Sequence, residues 1–258
     1  MAEALVVEAP ADGVVLLRLN RPERLNAIDH ALLGQLEDAC ATLAADRATS
    51  AVVVTGAGRG FCSGLDVRNF GPGLPAPEAP TLELLRFQER MAALPMTLRS
   101  LPQAVLAAVN GPCVGGGFAL CLAADIRLAS TAASFGNGAI HLGLSGAEMG
   151  LSYHLPRVVG TSVAADWMLT GRTVSAEEAD QRGLVSQLVS PEELLDRALE
   201  LATQISHFPT MAVELTKRAL QVNTDAPDLV AATELENRNQ VLAHGTVESA
   251  ARRARWDR

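Results

Sequence analysis

The sequence predicts an α/β fold, and three observations carry that prediction. Short β-branched runs alternate with amphipathic stretches over residues 1–190. The runs "SAVVVTG" (Ser50 to Gly56) and "QAVLAAV" (Gln103 to Val109) are apolar throughout, as strands buried on both faces are. Beyond Ser190 the alternation stops and helical patterns follow one another.

Each element has its own local reason. "GVVLLRLN" (Gly13 to Asn20) is short, β-branched and closed by Arg-Pro, so it reads as a strand. "HALLGQLEDACATLAAD" places Leu32, Leu33, Leu36, Ala39, Cys40 and Leu43 at helical spacing. After the strand Ser50 to Gly56, "PGLPAPEAP" (Pro72 to Pro80) cannot be regular structure. "TLELLRFQERMAAL" reads as a helix ending before Pro95. The strand "QAVLAAV" leads into a glycine turn and a short helix, and "DIRLAS" is a further strand. Ser190-Pro191-Glu192-Glu193 is a capping box with Pro at the first helical position. "EELLDRALELATQIS", "TMAVELTKRALQVN", "LVAATELENRNQVLA" and Val247 to Trp256 follow as helices. The expected division is a core over 1–190 and a helical region over 191–258.

Composition narrows the function. The 258 residues suffice for one large domain with a real core. A hydrophobic share of 48% and a charged share of 19% fit a soluble globular protein. A net charge of −8 argues against a nucleic-acid footprint. Cys40, Cys62, Cys113 and Cys121 form no CxxC pair, which predicts reduced thiols and a cytoplasmic protein. Glu3 and Glu8 interrupt the first ten residues, so no secretory leader is predicted there. No uncharged apolar run reaches the roughly 18 residues of a membrane span.

Several motifs compete for the chemistry. "TGAGRGF" spaces Gly56, Gly58 and Gly60 as G-x-G-x-G, which departs from the dinucleotide fingerprint. "GFCSG" fits a nucleophile elbow around Cys62, but a glycine-rich loop separates it from its strand. A packing role for Cys62 is therefore favoured. His30, His141, His154, His207 and His244 are scattered without metal-ligand spacing, so no metal site is expected. In "NGPCVGGGFALCLAADI" (Asn110 to Ile126) three glycines open a helix that holds no acid or base near its start. Such a turn serves either as a tight connection or as a backbone donor to an oxyanion, because first-turn N–H groups are unpaired.

Four stretches, in order, are similar to segments of the enoyl-CoA hydratase/isomerase (crotonase) superfamily. They are "LNRPERLNAID", "GRGFCSGLDVR", "AAVNGPCVGGGFALCLAADIRLAS", and "LPRVVG" with "LTGRTVSAEEADQRGLV". The resemblance implies a spiral of β-β-α turns with a helical C-terminal trimerisation region. It implies an acyl-CoA thioester substrate, coenzyme A entering as part of that substrate, no permanently bound cofactor, and assembly as a homotrimer or hexamer. It places the oxyanion-hole N–H groups at Leu65 and Gly116. It places Arg24, Leu25, Ala27, Ser63, Asp66 and Arg68 at or beside the CoA contacts, and Gly115, Ala119, Ala139 and Leu142 at the substrate.

The departures from that family matter as much. Typical hydratases carry glutamates at two positions where this sequence has Ala119 and Ala139. A methyl group carries no proton. In some branches a carboxylate works from the following loop, and Glu148 falls there; it is the only acid between Asp125 and Asp166. Among Gly146, Ala147, Met149 and Leu151, a buried carboxyl would have a raised pKa. The expected function is an acyl-CoA hydratase or isomerase with Glu148 as single acid/base. The alternatives are an inactive acyl-CoA-binding protein and a thioester hydrolase.

Overall fold

The computed structural model describes residues 3–71, 73–76 and 78–256. Two sheets and a shell of helices build it. In the larger sheet, β1 (Leu5–Ala11) pairs antiparallel with β2 (Val14–Leu19). Helix α1 (His30–Ala45) follows, started by Asp29, whose carboxylate accepts the Leu32 N–H at 2.8 Å. Then come β3 (Ala51–Gly56), helix α2 (Thr81–Ser100) and β4 (Ala104–Val109). Next are β5 (Pro112–Val114), α3 (Gly116–Ala123), β6 (Ile126–Ser130) and β7 (Ser134–Gly136). Helices α4 (Leu151–Val159) and α5 (Thr161–Thr170) precede β8 (Val174–Ser175), α6 (Ala176–Gln181) and β9 (Gln187–Val189). The chain closes on α7 (Leu194–Ser206), α8 (Thr210–Asn223), α9 (Leu229–His244) and α10 (Val247–Trp256).

The larger sheet runs β1-β2-β3-β4-β6-β9, parallel except for its first pair. The smaller runs β5-β7-β8 and is extended by the bridges Cys62–Cys113 and Ile28–Leu65. So β3, β4 and β6 are each followed by a short second-layer segment and then a helix. That is the β-β-α spiral, and it explains why the second layer escapes a local reading: its segments are two or three residues long and pair across the spiral.

Alternation along the strands sorts two cores. Leu17, Leu19, Val52, Val54, Val105 and Ala107 face α1, α2 and α3. Leu16, Val53, Leu106 and Leu128 face α7, which supplies Leu194, Ala198 and Ala202 at i, i+4, i+8. β3 and β4 are buried along their whole length, as the apolar runs predict.

Two boundaries differ from the sequence expectation. Helix α2 continues through Pro95 to Ser100, because Met91, Leu94, Pro95 and Leu98 form one buried stripe whose packing offsets the lost hydrogen bond. Helix α7 starts at Leu194, not Pro191: residues 191–193 form a turn closed by the Ser190 hydroxyl donating to Glu193 at 2.7 Å. Helix α8 is anchored by Lys217, which donates to Asp125 and to the Gln103 carbonyl, both at 2.8 Å. Among the described residues, no helix is long and apolar enough to cross a membrane.

Candidate active site

The site grows from three segments that meet at the start of α3. The first is the stretch around Arg24. Leu25 and Asn26 have φ of 51° and 56°, a left-handed pair that reverses the chain after the turn Pro22–Arg24. Fully buried Asn26 fixes this shape. Its amide donates to the Ala57 and Gly60 carbonyls at 3.0 and 2.7 Å, and its oxygen accepts the Arg21 N–H at 2.8 Å. Asn110 donates to the same Gly60 carbonyl at 3.2 Å from the opposite side. Leu25 packs on Gly60, while the Ser63 hydroxyl and N–H reach the Arg24 and Leu25 carbonyls.

Asp66 closes this clamp. Only 3% exposed, it accepts Arg21 at 3.0 Å, Arg24 at 3.1 Å and the Asn69 N–H at 3.0 Å. Burial opposes its ionisation, but hydrogen bonds from Arg24, Arg21 and Asn69 and the Arg24 charge outweigh it and hold the carboxyl at about 2. Arg24 is half-exposed and Ala27 is buried beside the clamp, whereas Arg68 stands on the surface.

The glycine turn is the second segment, and its three members do different work. Gly115 has φ +53° and ψ −120°, a conformation for glycine. A Cβ on Gly116 would lie 3.3 Å from the Met149 sulfur. A Cβ on Gly117 would lie 2.2 Å from the Cys62 carbonyl oxygen, so no larger residue fits there. Gly64 presses on the turn from across, its Cβ position 3.4 Å from the Gly116 nitrogen.

Neighbouring Leu65 has a defined orientation. The Gly64 carbonyl accepts the Ile28 N–H at 2.7 Å, and the Asp66 N–H donates to the Ile28 carbonyl at 2.9 Å. Alternation along the strand then turns the Leu65 N–H away from Ile28. Neither the Leu65 nor the Gly116 N–H donates to a protein acceptor among the described residues. Two backbone donors are thus left free, that of Gly116 at the N-terminus of α3 and that of Leu65 next to Gly64, which packs on the same turn.

The third segment carries Glu148. It leaves β7 through buried Asn137, whose oxygen accepts the Ala139 N–H at 3.0 Å and whose amide donates to the Gly146 carbonyl. Gly146 is pressed against the Met168 carbonyl, 3.1 Å from its Cβ position. Met149 (φ +47°) and Gly150 (φ +86°) then reverse the chain into α4. Buried Met149 points its sulfur at Gly116, while half-buried Glu148 brings Oε1 to 3.6 Å from the Cβ position of Gly115. No hydrogen bond or ion pair engages that carboxylate among the described residues, and burial pushes its carboxyl up from the usual range. Ala119 is buried on α3, Ala139 is half-buried at the start of a 3-10 turn (Ala139–Leu142), and Leu142 is 65% exposed on the surface.

The structure thus brings Glu148 to Gly115, and Gly64, which precedes Leu65, to Gly115 and Gly116, with Arg24, Leu25, Ala27, Ser63 and Asp66 forming the adjoining clamp. The sequence reading missed Arg21, Asn26 and Asn137. Their signal was faint: polar residues within irregular stretches, each of whose partners lies far along the chain or across a loop. Cys62 is fully buried and burial pushes its thiol up to about 12, so it is a protonated packing residue. Among the described residues, no group of three or more His, Cys, Asp or Glu side chains could hold a metal ion.

The chain is similar to known proteins along nearly its whole length. The model of the enoyl-CoA hydratase/isomerase family matches residues 10–252. A probable enoyl-CoA hydratase of Mycobacterium bovis is 44% identical over 240 residues, 92% of this chain and 84% of the relative. The 1,2-epoxyphenylacetyl-CoA isomerase of Escherichia coli K12 is 37% identical over 233 residues, 90% of this chain and 87% of the relative. A crystal structure of a probable enoyl-CoA hydratase/isomerase from Mycobacterium abscessus superposes with a TM-score of 0.84 at 40% identity, covering 93% of this chain and 90% of that one.

Proposed function

Because this chain belongs to the enoyl-CoA hydratase/isomerase family and is an acyl-CoA enzyme of that type, we propose that Leu65 and Gly116 stabilise a thioester enolate through their N–H groups while Glu148 carries the proton. The observation that carries this reading is the Glu148 carboxylate, unpartnered among the described residues, beside Gly115, with the free N–H groups of Gly116 on the same turn and of Leu65 next to Gly64.

Chemistry follows from the arrangement. A thioester carbonyl oxygen seated between the two N–H groups gains stabilisation as negative charge develops on it, about 3 kcal/mol per donor in comparable sites. That charge shift acidifies the α-carbon. Glu148, with a raised pKa, accepts a proton from one carbon and returns it as an acid to another. The double bond moves, the enolate collapses to the thioester, and Glu148 ends unprotonated as it began. With methyl groups at Ala119 and Ala139, one carboxyl serves both transfers, which favours isomerisation; hydration requires Glu148 to position the water as well. The relative named as an isomerase supports the same choice. Arg24, Leu25, Ala27, Ser63, Asp66 and Arg68 are proposed to hold the CoA moiety, with coenzyme A arriving on the substrate. Leu229, Val230, Val241 and Val247, all at least 74% exposed on the last two helices, are the proposed self-association face of a trimer or hexamer.

Glu148→Gln tests the reading. Turnover of a 3-enoyl-CoA, and exchange of its α-proton in deuterated water, should fall about 10²- to 10⁴-fold. Acyl-CoA binding by calorimetry should stay within a few-fold. Unchanged turnover would remove Glu148 from the mechanism. Absence of turnover in the parent chain across enoyl-, dienoyl- and aryl-CoA thioesters would instead favour a binding protein.

A further inference from the structure

A second charged cavity lies at the far end of α3. It has a volume of about 240 Å³ and is walled by the last turn of α2, the end of α3, one face of α4 and the C-terminal half of α8. Three guanidinium groups line it: Arg99, Arg127 and Arg157. It shares no lining residue with Arg24, Asp66, the glycine turn or Glu148.

The cations there are not balanced by the protein. Arg99 is half-buried, and its guanidinium has no hydrogen-bond or ion-pair partner among the described residues. Arg127 spends Nε and Nη1 on the Leu184 and Ala124 carbonyls, which are neutral acceptors. Arg157 stacks over the Tyr153 ring at 3.6 Å and pairs with Asp225 at 3.2 Å. Asp125 also lines the cavity, but Lys217, the Val105 N–H and Gln221 already occupy its carboxylate. The Tyr153 hydroxyl donates to the same Asp225, and His154 is held neutral: burial first, then Arg99, Arg157 and Arg127, push it down to about 4. A protein that gathers three guanidiniums and gives only Arg157 a carboxylate bears a cost that a bound anion removes.

We propose that this cavity binds a phosphate-type dianion, free or as a small phosphomonoester. Guanidinium groups match phosphate oxygens in planar, two-pronged hydrogen bonds, and two charges on the ligand answer the surplus on the wall. The site also has a route to the catalytic loop. His154 lies one turn into α4, and its ring carbon is 3.4 Å from the Cβ position of Gly150, two residues after Glu148.

Titration of the full chain with inorganic phosphate, followed by ³¹P NMR line broadening and calorimetry, tests the site. Saturable binding is expected. Arg99→Gln should weaken it about tenfold, the loss of one charge-assisted contact. Thr224→Glu, which adds a carboxylate at the cavity wall without disturbing a cation, should weaken it as much and decides the matter if Arg99→Gln folds poorly. Arg24→Gln should leave it unchanged. Absence of saturable binding overturns the proposal. So does binding that Arg24→Gln removes and Thr224→Glu spares, since the phosphate then sits at the clamp.

Discussion

The two flanks of the glycine turn are held by opposite means. On one side Asp66 is buried between Arg21 and Arg24, and Asn26 and Asn110 share the Gly60 carbonyl. Every charge and amide there has a partner. On the other side Glu148 has none among the described residues, and its loop takes its shape from left-handed backbone at Met149 and Gly150 and from Asn137. The difference teaches how one small region can be both rigid and reactive. A carboxylate locked in ion pairs resists protonation, whereas a buried one held only through its backbone takes up a proton more readily than it would in water.

The most damaging change strikes where the flanks meet. Gly117→Ala puts a methyl group 2.2 Å from the Cys62 carbonyl oxygen, and backbone must move to admit it. The expected cost is on the order of 3 kcal/mol or more, read by urea unfolding and by recovery of soluble protein. A variant of parental stability would show that the turn is looser than its contacts indicate.

Next, Asp66→Asn should break the charged flank alone. It leaves Arg24 without its ion pair and Arg21 with Asp29 alone, at a cost of about 3 kcal/mol at neutral pH. The two carboxyls should also titrate in opposite senses. Asp66 is ionised more easily folded than unfolded, so its stabilisation is present above pH 3.8 and fades as pH falls toward about 2. Glu148 is ionised less easily folded, so its contribution is present below 4.5 and fades as pH rises through its folded value. Unfolding midpoints against pH should lose the acid limb in Asp66→Asn and the opposite limb in Glu148→Gln. Two profiles of the same shape would erase the contrast.

A milder test loosens the backbone-held flank. Asn137→Ala removes the side chain that ties Ala139 to Gly146, for a cost of about 1 kcal/mol. Turnover should fall about tenfold, with little change in acyl-CoA affinity. An affinity loss with turnover intact would move Asn137 to substrate binding. The smallest effect is expected at Cys62: a thiol-blocking reagent should leave turnover unchanged, because burial keeps that thiol protonated and out of reach. Stoichiometric inactivation would restore the hydrolase alternative.

Much of the larger sheet was legible because its logic is local. The apolar runs of β3 and β4 announce strands covered on both faces, and the spacing of Leu32, Leu33, Leu36, Cys40 and Leu43 announces α1. The second layer was not legible. β5, β7 and β8 are two or three residues long, and Cys62 meets Cys113 only after a full turn of the spiral. At the site, the glycine triplet stood out because opening a helix with it is locally odd, whereas Glu148 was picked out by the family resemblance, as the lone acid of its loop. Asn26 and Asn137 did not. Their importance lies in which carbonyls they reach, and no spacing rule encodes that.

Lys217 gives the chain a chemical reporter. It is the single lysine in 258 residues, and it is 7% exposed with its ammonium locked on Asp125. An acylating reagent aimed at primary amines therefore finds no lysine on the folded surface. Modification at Lys217 counts the molecules in which α8 has lifted from the sheet, and its rate clocks that opening without a dye, a spectroscopic label or an engineered residue.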